Sequence, residues 1–126
     1  MYITIVRQGL KSNEVYFTAG CGEGRGIWQG PQAAAVGAES QVEFELPELL
    51  MRWVDIVPVP PAAPAIRLEG ERVVFTGILE NIEEDGTGFL RLGQDLLMFE
   101  CMGEPMMLGS CVELSASEVR IYPFIS

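Results

Sequence analysis

Apolar and polar positions alternate in short runs along this chain, and those runs set out its elements. Met1-Tyr2-Ile3-Thr4-Ile5-Val6-Arg7 alternates with the period of a strand, expected over residues 1–8. A turn at Lys11-Ser12-Asn13 leads to a strand over 14–19. Gly20-Cys21-Gly22-Glu23-Gly24-Arg25-Gly26 reads as a mobile surface loop, followed by a brief strand at Ile27-Trp28-Gln29. Between Gln41 and Leu46, Val42, Phe44 and Leu46 share one face, and Glu43 and Glu45 take the other. Pro47 to Val54 suits one short helix: proline is tolerated in a first turn, Glu48 favours the N-terminus, and Leu49, Leu50 and Trp53 share a face.

The second half repeats the strand grammar. Arg72 to Glu84 is a long strand, bent where Gly77 marks a bulge. Asp85-Gly86 signals a tight hairpin with positive φ at both central residues. Phe89–Leu92 returns, Gly93-Gln94-Asp95 turns, and Leu96–Cys101 is apolar on both faces, as for a strand buried on both sides. Strands are expected near 111–116 and 118–124. Pro58 to Ala65 holds four prolines in eight residues, which removes donors and fixes φ, so it forms an extended connector. The expected organisation is a β module over 1–57, a connector over 58–65 and a second β module over 66–126, folding as one unit.

Three markers recur in the two halves. Val54-Asp55-Ile56-Val57-Pro58 and Val119-Arg120-Ile121-Tyr122-Pro123 share V-x-I-x-P. Val42-Glu43-Phe44-Glu45 matches Val112-Glu113-Leu114-Ser115, each preceded by a glycine, Gly37 or Gly109. Val15–Thr18 matches Val73–Thr76. Recurrence in one order points to a small β module used twice. The fold class is therefore all-β: two related small barrels or half-barrels with one short helix. The strand–Gly–strand–Asp-Gly–strand pattern of 72–101, with the paired strands of 111–124, resembles the oligonucleotide/oligosaccharide-binding barrel. That resemblance covers roughly half the chain and implies a ligand-binding face on the central strands. The aromatic and basic residues usual on that face are largely missing here.

Charge and chemistry narrow the function. Eighteen acids against eight bases give a formal charge of −10, with Lys11 the single lysine. Seven acids and four bases fall in residues 1–57, eleven acids and four bases in 66–126. Phosphate backbones and anionic membranes repel such a surface, so neither nucleic acid nor a membrane is an expected partner. Acidity keeps an apolar-rich chain soluble, and it also steers a chain toward a basic partner. No stretch has the length of a transmembrane helix and the N-terminal run is not a secretory signal, so the expected location is cytoplasmic. Three cysteines without C-x-x-C spacing argue against a disulfide framework; Cys101 and Cys111 read as small core residues and Cys21 as a loop residue.

There is no histidine. The commonest general base, the Ser-His-Asp and Cys-His arrangements and the commonest zinc ligand are all missing, so no enzyme activity, metal or cofactor is expected. The alternating glycines of 20–26 lack the Lys-Ser/Thr of a phosphate loop. Glu80, Glu83, Glu84 and Asp85 lack the regular spacing of a calcium loop and read as a solvated turn or the centre of an acidic contact surface. The leading expectation is an acidic protein–protein interaction module, of which an inhibitor or immunity-type protein is one form. Its contact residues are Glu43, Glu45, Glu80, Glu83, Glu84 and Asp85 as charges, with Trp28, Tyr122 and Phe124 as apolar anchors. A second reading is a small-ligand or carbohydrate-binding barrel using Trp28, Tyr16 and Tyr122. A third is a structural homo-oligomer joined through the methionine-rich stretch of Met98, Met102, Met106 and Met107.

Overall fold

The alternating runs become twelve strands in a computed structural model that describes residues 1–124; the last two residues of the expected 66–126 module lie outside it. In chain order the first six are β1 (Tyr2–Gln8), β2 (Glu14–Ala19), β3 (Gly22–Trp28), β4 (Glu39–Glu45), β5 (Leu49–Met51) and β6 (Ile56–Pro58). They are followed by β7 (Ala65–Glu69), β8 (Arg72–Ile82), β9 (Thr87–Leu92), β10 (Asp95–Met102), β11 (Cys111–Ala116) and β12 (Arg120–Pro123).

One closed five-stranded barrel is present. Strands β4, β1, β2 and β3 run antiparallel in that spatial order. The last strand, β12, closes the ring by pairing parallel to β3 and antiparallel to β4. Ile3 and Ile5 of β1, Val15 and Phe17 of β2, Val42 of β4 and Ile121 of β12 are buried, as alternation predicts. The glycine run expected as a loop is instead β3. Its inward positions must be glycine because neighbouring side chains lie against the backbone. A Cβ at Gly24 would meet the Phe17 ring at 2.6 Å, and one at Gly26 would meet Ile121 at 2.8 Å.

Seven further strands surround the barrel. The long β8 holds β7 and β11 on its two edges and continues into a hairpin with β9. Its bulge falls between Leu79 and Asn81, two residues beyond the expected Gly77. Strand β10 follows β9, β5 adds parallel to β10, and β6 adds to β11. Among the described residues a single bridge, Arg52 just past β5 to Ile56 of β6, links these two strands, and no second closed barrel of strand ladders is shown. The halves touch where Gly22 pairs with Ile66, whose carbonyl would lie 1.9 Å from a Cβ at Gly22. One apolar cluster runs through both halves; Phe44 stacks on Phe17 at 5.3 Å and meets Phe75 in a tilted contact at 6.1 Å.

Among the described residues there is no helix, which overturns the one expected over 47–54. The polar groups a helix would pair internally find other partners. Met51 N–H donates to the Asp55 carboxylate at 2.8 Å, Arg52 N–H to the Met102 carbonyl at 2.9 Å, and Trp53 N–H to Ile56 at 2.7 Å. Trp53 itself is left-handed, with φ of 72°, which no helix accepts. Two smaller expectations also change. Strand β10 is buried on one face only, with Leu96, Met98 and Met102 exposed. Gly86 alone has positive φ in its turn, which closes through a Gly86 N–H bond to the Glu83 carbonyl.

Glu48 clasps the two crossings of the chain. It stands where the chain leaves β4 for β5, and it binds the segment where the chain leaves β11 for β12. Its carboxylate accepts from Ser117 N–H at 2.6 Å, Ser117 Oγ at 2.7 Å and Glu118 N–H at 3.2 Å. Partial burial pushes its carboxyl upward, but those bonds and the Arg72 charge outweigh burial and hold it below its ordinary value of 4.5. A lowered folded value stabilises above the unfolded value, and that stability is lost as pH falls through the folded one. Glu48→Gln should therefore cost about 1 kcal/mol at neutral pH after solvent screening. Denaturant midpoints of the two proteins should converge as pH drops below the ordinary carboxylate range. A constant gap down to the most acidic condition would mean that the charge is not what matters.

Candidate partner-binding surface

Strands β9, β10 and β5 lie side by side, and directly opposed residues share a face. The register places Phe89 opposite Met98, Thr87 opposite Glu100, Glu100 opposite Leu49 and Met102 opposite Met51. The outer face therefore carries Leu96, Met98, Met102, Leu49 and Met51, with Met98 59% and Leu49 54% exposed. The inner face of the same strands is buried core: Leu97, Phe99, Cys101 and Leu50. Apart from Glu100 both rows are apolar, which is why the sequence reads as a doubly buried strand and the structure does not.

The carboxylates sort into paired and unpaired groups. Glu80 meets Arg91 at 2.8 Å, Glu45 meets Arg120 at 3.1 Å, Arg67 is shared by Glu69 and Glu113, and Asp55 meets Arg72 at 3.3 Å. Among the described residues, Glu43, Glu83, Glu84, Glu100 and Glu104 have neither an ion pair nor a side-chain hydrogen bond. Asp85 is engaged locally: the Thr87 amide, bound at 2.9 Å, and the Thr87 side chain hold its carboxyl below the ordinary aspartate range. The expected acidic cluster is thus divided. Glu80 is neutralised, Asp85 holds its own turn, and Glu83 and Glu84 remain free at the tip of the β8–β9 hairpin.

Four of the expected contact residues come together on the barrel. Tyr122 lies opposite Glu43 across the β12–β4 pair, its hydroxyl is 3.4 Å from Glu45, and Phe124 follows on the same segment. A shallow cleft of about 340 Å³ joins Glu43 and Phe124 to Leu96 and Met98 of β10, so this group and the apolar face form one surface. Glu83 and Glu84 stand on the far side of β10 from β5, about two strand spacings or ~10 Å away. Trp28 stands apart. It packs against the core, and its indole N–H donates to the Gln32 carbonyl at 2.8 Å.

A second, open cleft of about 570 Å³ is lined by Lys11, Glu14, Tyr16, Arg25, Glu71 and Glu118. Its polar groups largely satisfy one another. Buried Glu14 accepts from Leu10 N–H at 3.1 Å and lies 3.9 Å from Arg25, which also donates to the Glu71 carbonyl. Arg7 stacks on Tyr16 at 3.5 Å. Tyr16, Trp28 and Tyr122, the aromatic residues of the ligand-binding reading, occupy three separate settings. Among the described residues no three His, Cys, Asp or Glu side chains are gathered as a metal site. Burial raises the thiols of Cys21 and Cys101 above their ordinary value, which makes both poor nucleophiles. Comparison with known families, curated proteins and solved structures finds no match for this chain.

The residues that sequence reasoning missed are Leu49, Met51, Trp53 and Val54. All lie in the segment read as a helix, where Leu49 and Trp53 share one apolar face with Leu50. The structure leaves Trp53 50% and Val54 74% exposed.

Proposed function

We propose that this chain is a non-enzymatic binding module, built from two copies of one five-strand unit, that takes a basic protein partner on its acidic, apolar-striped face. Backbone hydrogen bonds support the duplication. Ile5 donates to the Ala38 carbonyl at 3.0 Å and accepts from Gly37 at 2.7 Å; Leu79 donates to Ser110 at 2.9 Å and accepts from Gly109 at 2.7 Å. Both glycines are left-handed, with φ of 87° and 83°. Ile5 and Leu79 each begin a bulge, between Ile5 and Arg7 and between Leu79 and Asn81. Ile121 and Pro123 lie opposite Phe44 and Val42, as Ile56 and Pro58 lie opposite Leu114 and Val112. In this reading β1 corresponds to β8, β2 to β9, β3 to β10 and β4 to β11, and the two V-x-I-x-P strands close each other's units. The Val15 and Val73 markers fall outside the scheme, since they lie on β2 and β8. The parallel closure of the third strand by the fifth favours an oligonucleotide/oligosaccharide-binding type of barrel for each unit.

The binding reading rests on one observation: the exposed apolar row of β10 and β5 is bordered by carboxylates that no described residue neutralises. A contiguous apolar patch rimmed by polar groups marks an interaction site, and uncompensated charge of one sign selects a partner of the other. Every arginine near the row is already committed, Arg91 to Glu80 and Arg52 to the Gly103 carbonyl. An inhibitor or immunity-type protein covering a basic surface is one concrete form. Association should slow about tenfold or more between low and physiological salt, and Glu83→Lys with Glu84→Lys should reduce the rate in low salt by a similar factor. Stopped-flow mixing with a partner captured from the native host measures both. A rate indifferent to salt and to charge reversal would refute steering.

A further inference from the structure

The two closing strands differ in one respect, and the difference points outward. In the first barrel one continuous strand serves both neighbours, with Ile121 opposite Trp28 on β3 and Phe44 on β4. In the second unit that task is divided: Leu50 lies opposite Cys101 on β10, and Ile56 lies opposite Leu114 on β11. Leu50 and Ile56 are both buried, so the division leaves the interior filled. The residues between them form a turn, Arg52 to Asp55, that the first barrel does without. It holds Trp53 in left-handed backbone, a conformation bulky residues avoid, and it exposes Trp53 and Val54. Neither the interior nor the ladder calls for a large apolar residue there.

The turn is held firmly. Trp53 N–H bonds Ile56, and the indole Nε1–H is shared between the Glu104 and Pro105 carbonyls at 3.3 Å each. Asp55 accepts from Met51 N–H and pairs with Arg72. An aromatic side chain fixed before contact loses little freedom on binding, which is the property of a hot-spot residue. Leu49 and Met51 precede it at alternate exposed positions, and Met102 lies beside Met51. The charge around it is negative. Among the described residues Glu100 and Glu104 are unpaired; Arg52 lines the same cleft as Trp53, but its guanidinium is bonded to the Gly103 carbonyl.

The geometry points to Trp53 as the apolar anchor of a docking site, formed with Met51, Met102 and the 103–105 loop, for a protein segment that sets a large apolar side chain between lysines or arginines. This deepens the binding reading above and depends on it. A second copy of this chain is a poor occupant, because it would bring like charge to Glu100 and Glu104.

Two synthetic peptides of equal positive charge test the site, one alternating lysine with leucine and the other lysine with serine. The full chain, labelled with ¹⁵N, reports through its two indole N–H signals, Trp28 and Trp53. At low salt the lysine–leucine peptide should shift the Trp53 signal and leave Trp28 in place. Trp53→Ala should weaken that peptide tenfold or more and leave the lysine–serine peptide unaffected. Glu100→Lys with Glu104→Lys, which removes no contact holding the turn, should weaken both peptides and serves if Trp53→Ala does not fold. A static Trp53 signal at saturation, with binding lost on reversing Glu83 and Glu84, would overturn the anchor and leave the acidic surface standing. No binding of either peptide would overturn both. A Trp53 shift with protein concentration alone would assign the site to self-association and overturn the proposal.

Discussion

A chain ended after Ser117 is expected to lose its fold throughout, although more than nine-tenths of the residues remain. The missing segment is short but closes the barrel: β12 supplies the neighbour of β3 on one edge and of β4 on the other. It also carries Val119 and Ile121, both buried. Losing two such side chains costs about 2–5 kcal/mol each, against a total stability of about 5–15 kcal/mol. Two strand edges are left unpaired, and exposed edges invite aggregation. Gly24 and Gly26 make the loss worse: they leave room for Phe17 and Ile121, so with Ile121 gone β3 faces an empty wall. The amide spectrum should collapse to the narrow dispersion of an unfolded chain. A dispersed spectrum resembling that of the full chain would show that the barrel does not need its closing strand.

Much of this architecture was legible in the alternation. Strands β1, β2, β4, β9 and β11 fall within a few residues of their expected positions, because each has one buried and one solvated face. Two elements were misread for the same physical reason. The 20–26 run has the composition of a loop, yet its glycines belong to a strand whose interior is filled by its neighbours' side chains. Leu49 to Val54 has a helix-like apolar spacing, yet Leu49 to Met51 pair as a strand with Glu100 to Met102 and the Arg52 amide bonds Met102, fifty positions away, which no local pattern reveals. The V-x-I-x-P recurrence was visible, but which half each strand completes was not; that depends on pairing across the whole chain. For the candidate site, Glu43, Tyr122 and Phe124 were found as surface residues beside Val42 and Pro123. The exposure of Met98 and Leu96 could not be separated from core, since both faces of β10 are apolar. Trp53 was hidden by the helix reading. A left-handed tryptophan has no signature in a sequence.

Phe75→Ala should weaken both halves together. Phe75 is fully buried on β8 and meets Phe44 of β4 in a tilted contact, and Phe44 stacks on Phe17 of β2, so the three rings bridge the closed barrel and the strands around it. Removing a buried phenylalanine side chain costs about 3–5 kcal/mol, because the cavity left behind collapses only partly. That is a large share of the stability of a domain this size. The apolar cluster is continuous from Ile3 to Ile121, and β12 and β5 each lie in the half opposite to their sequence neighbours. Neither half can therefore loosen without disturbing the other. Urea unfolding of the variant should remain one transition at a lower midpoint with an unchanged slope, and circular dichroism and the combined fluorescence of Trp28 and Trp53 should report the same curve. Two separated transitions would mean that the halves are independent domains despite the pairing of β12 with β4 and of β5 with β10.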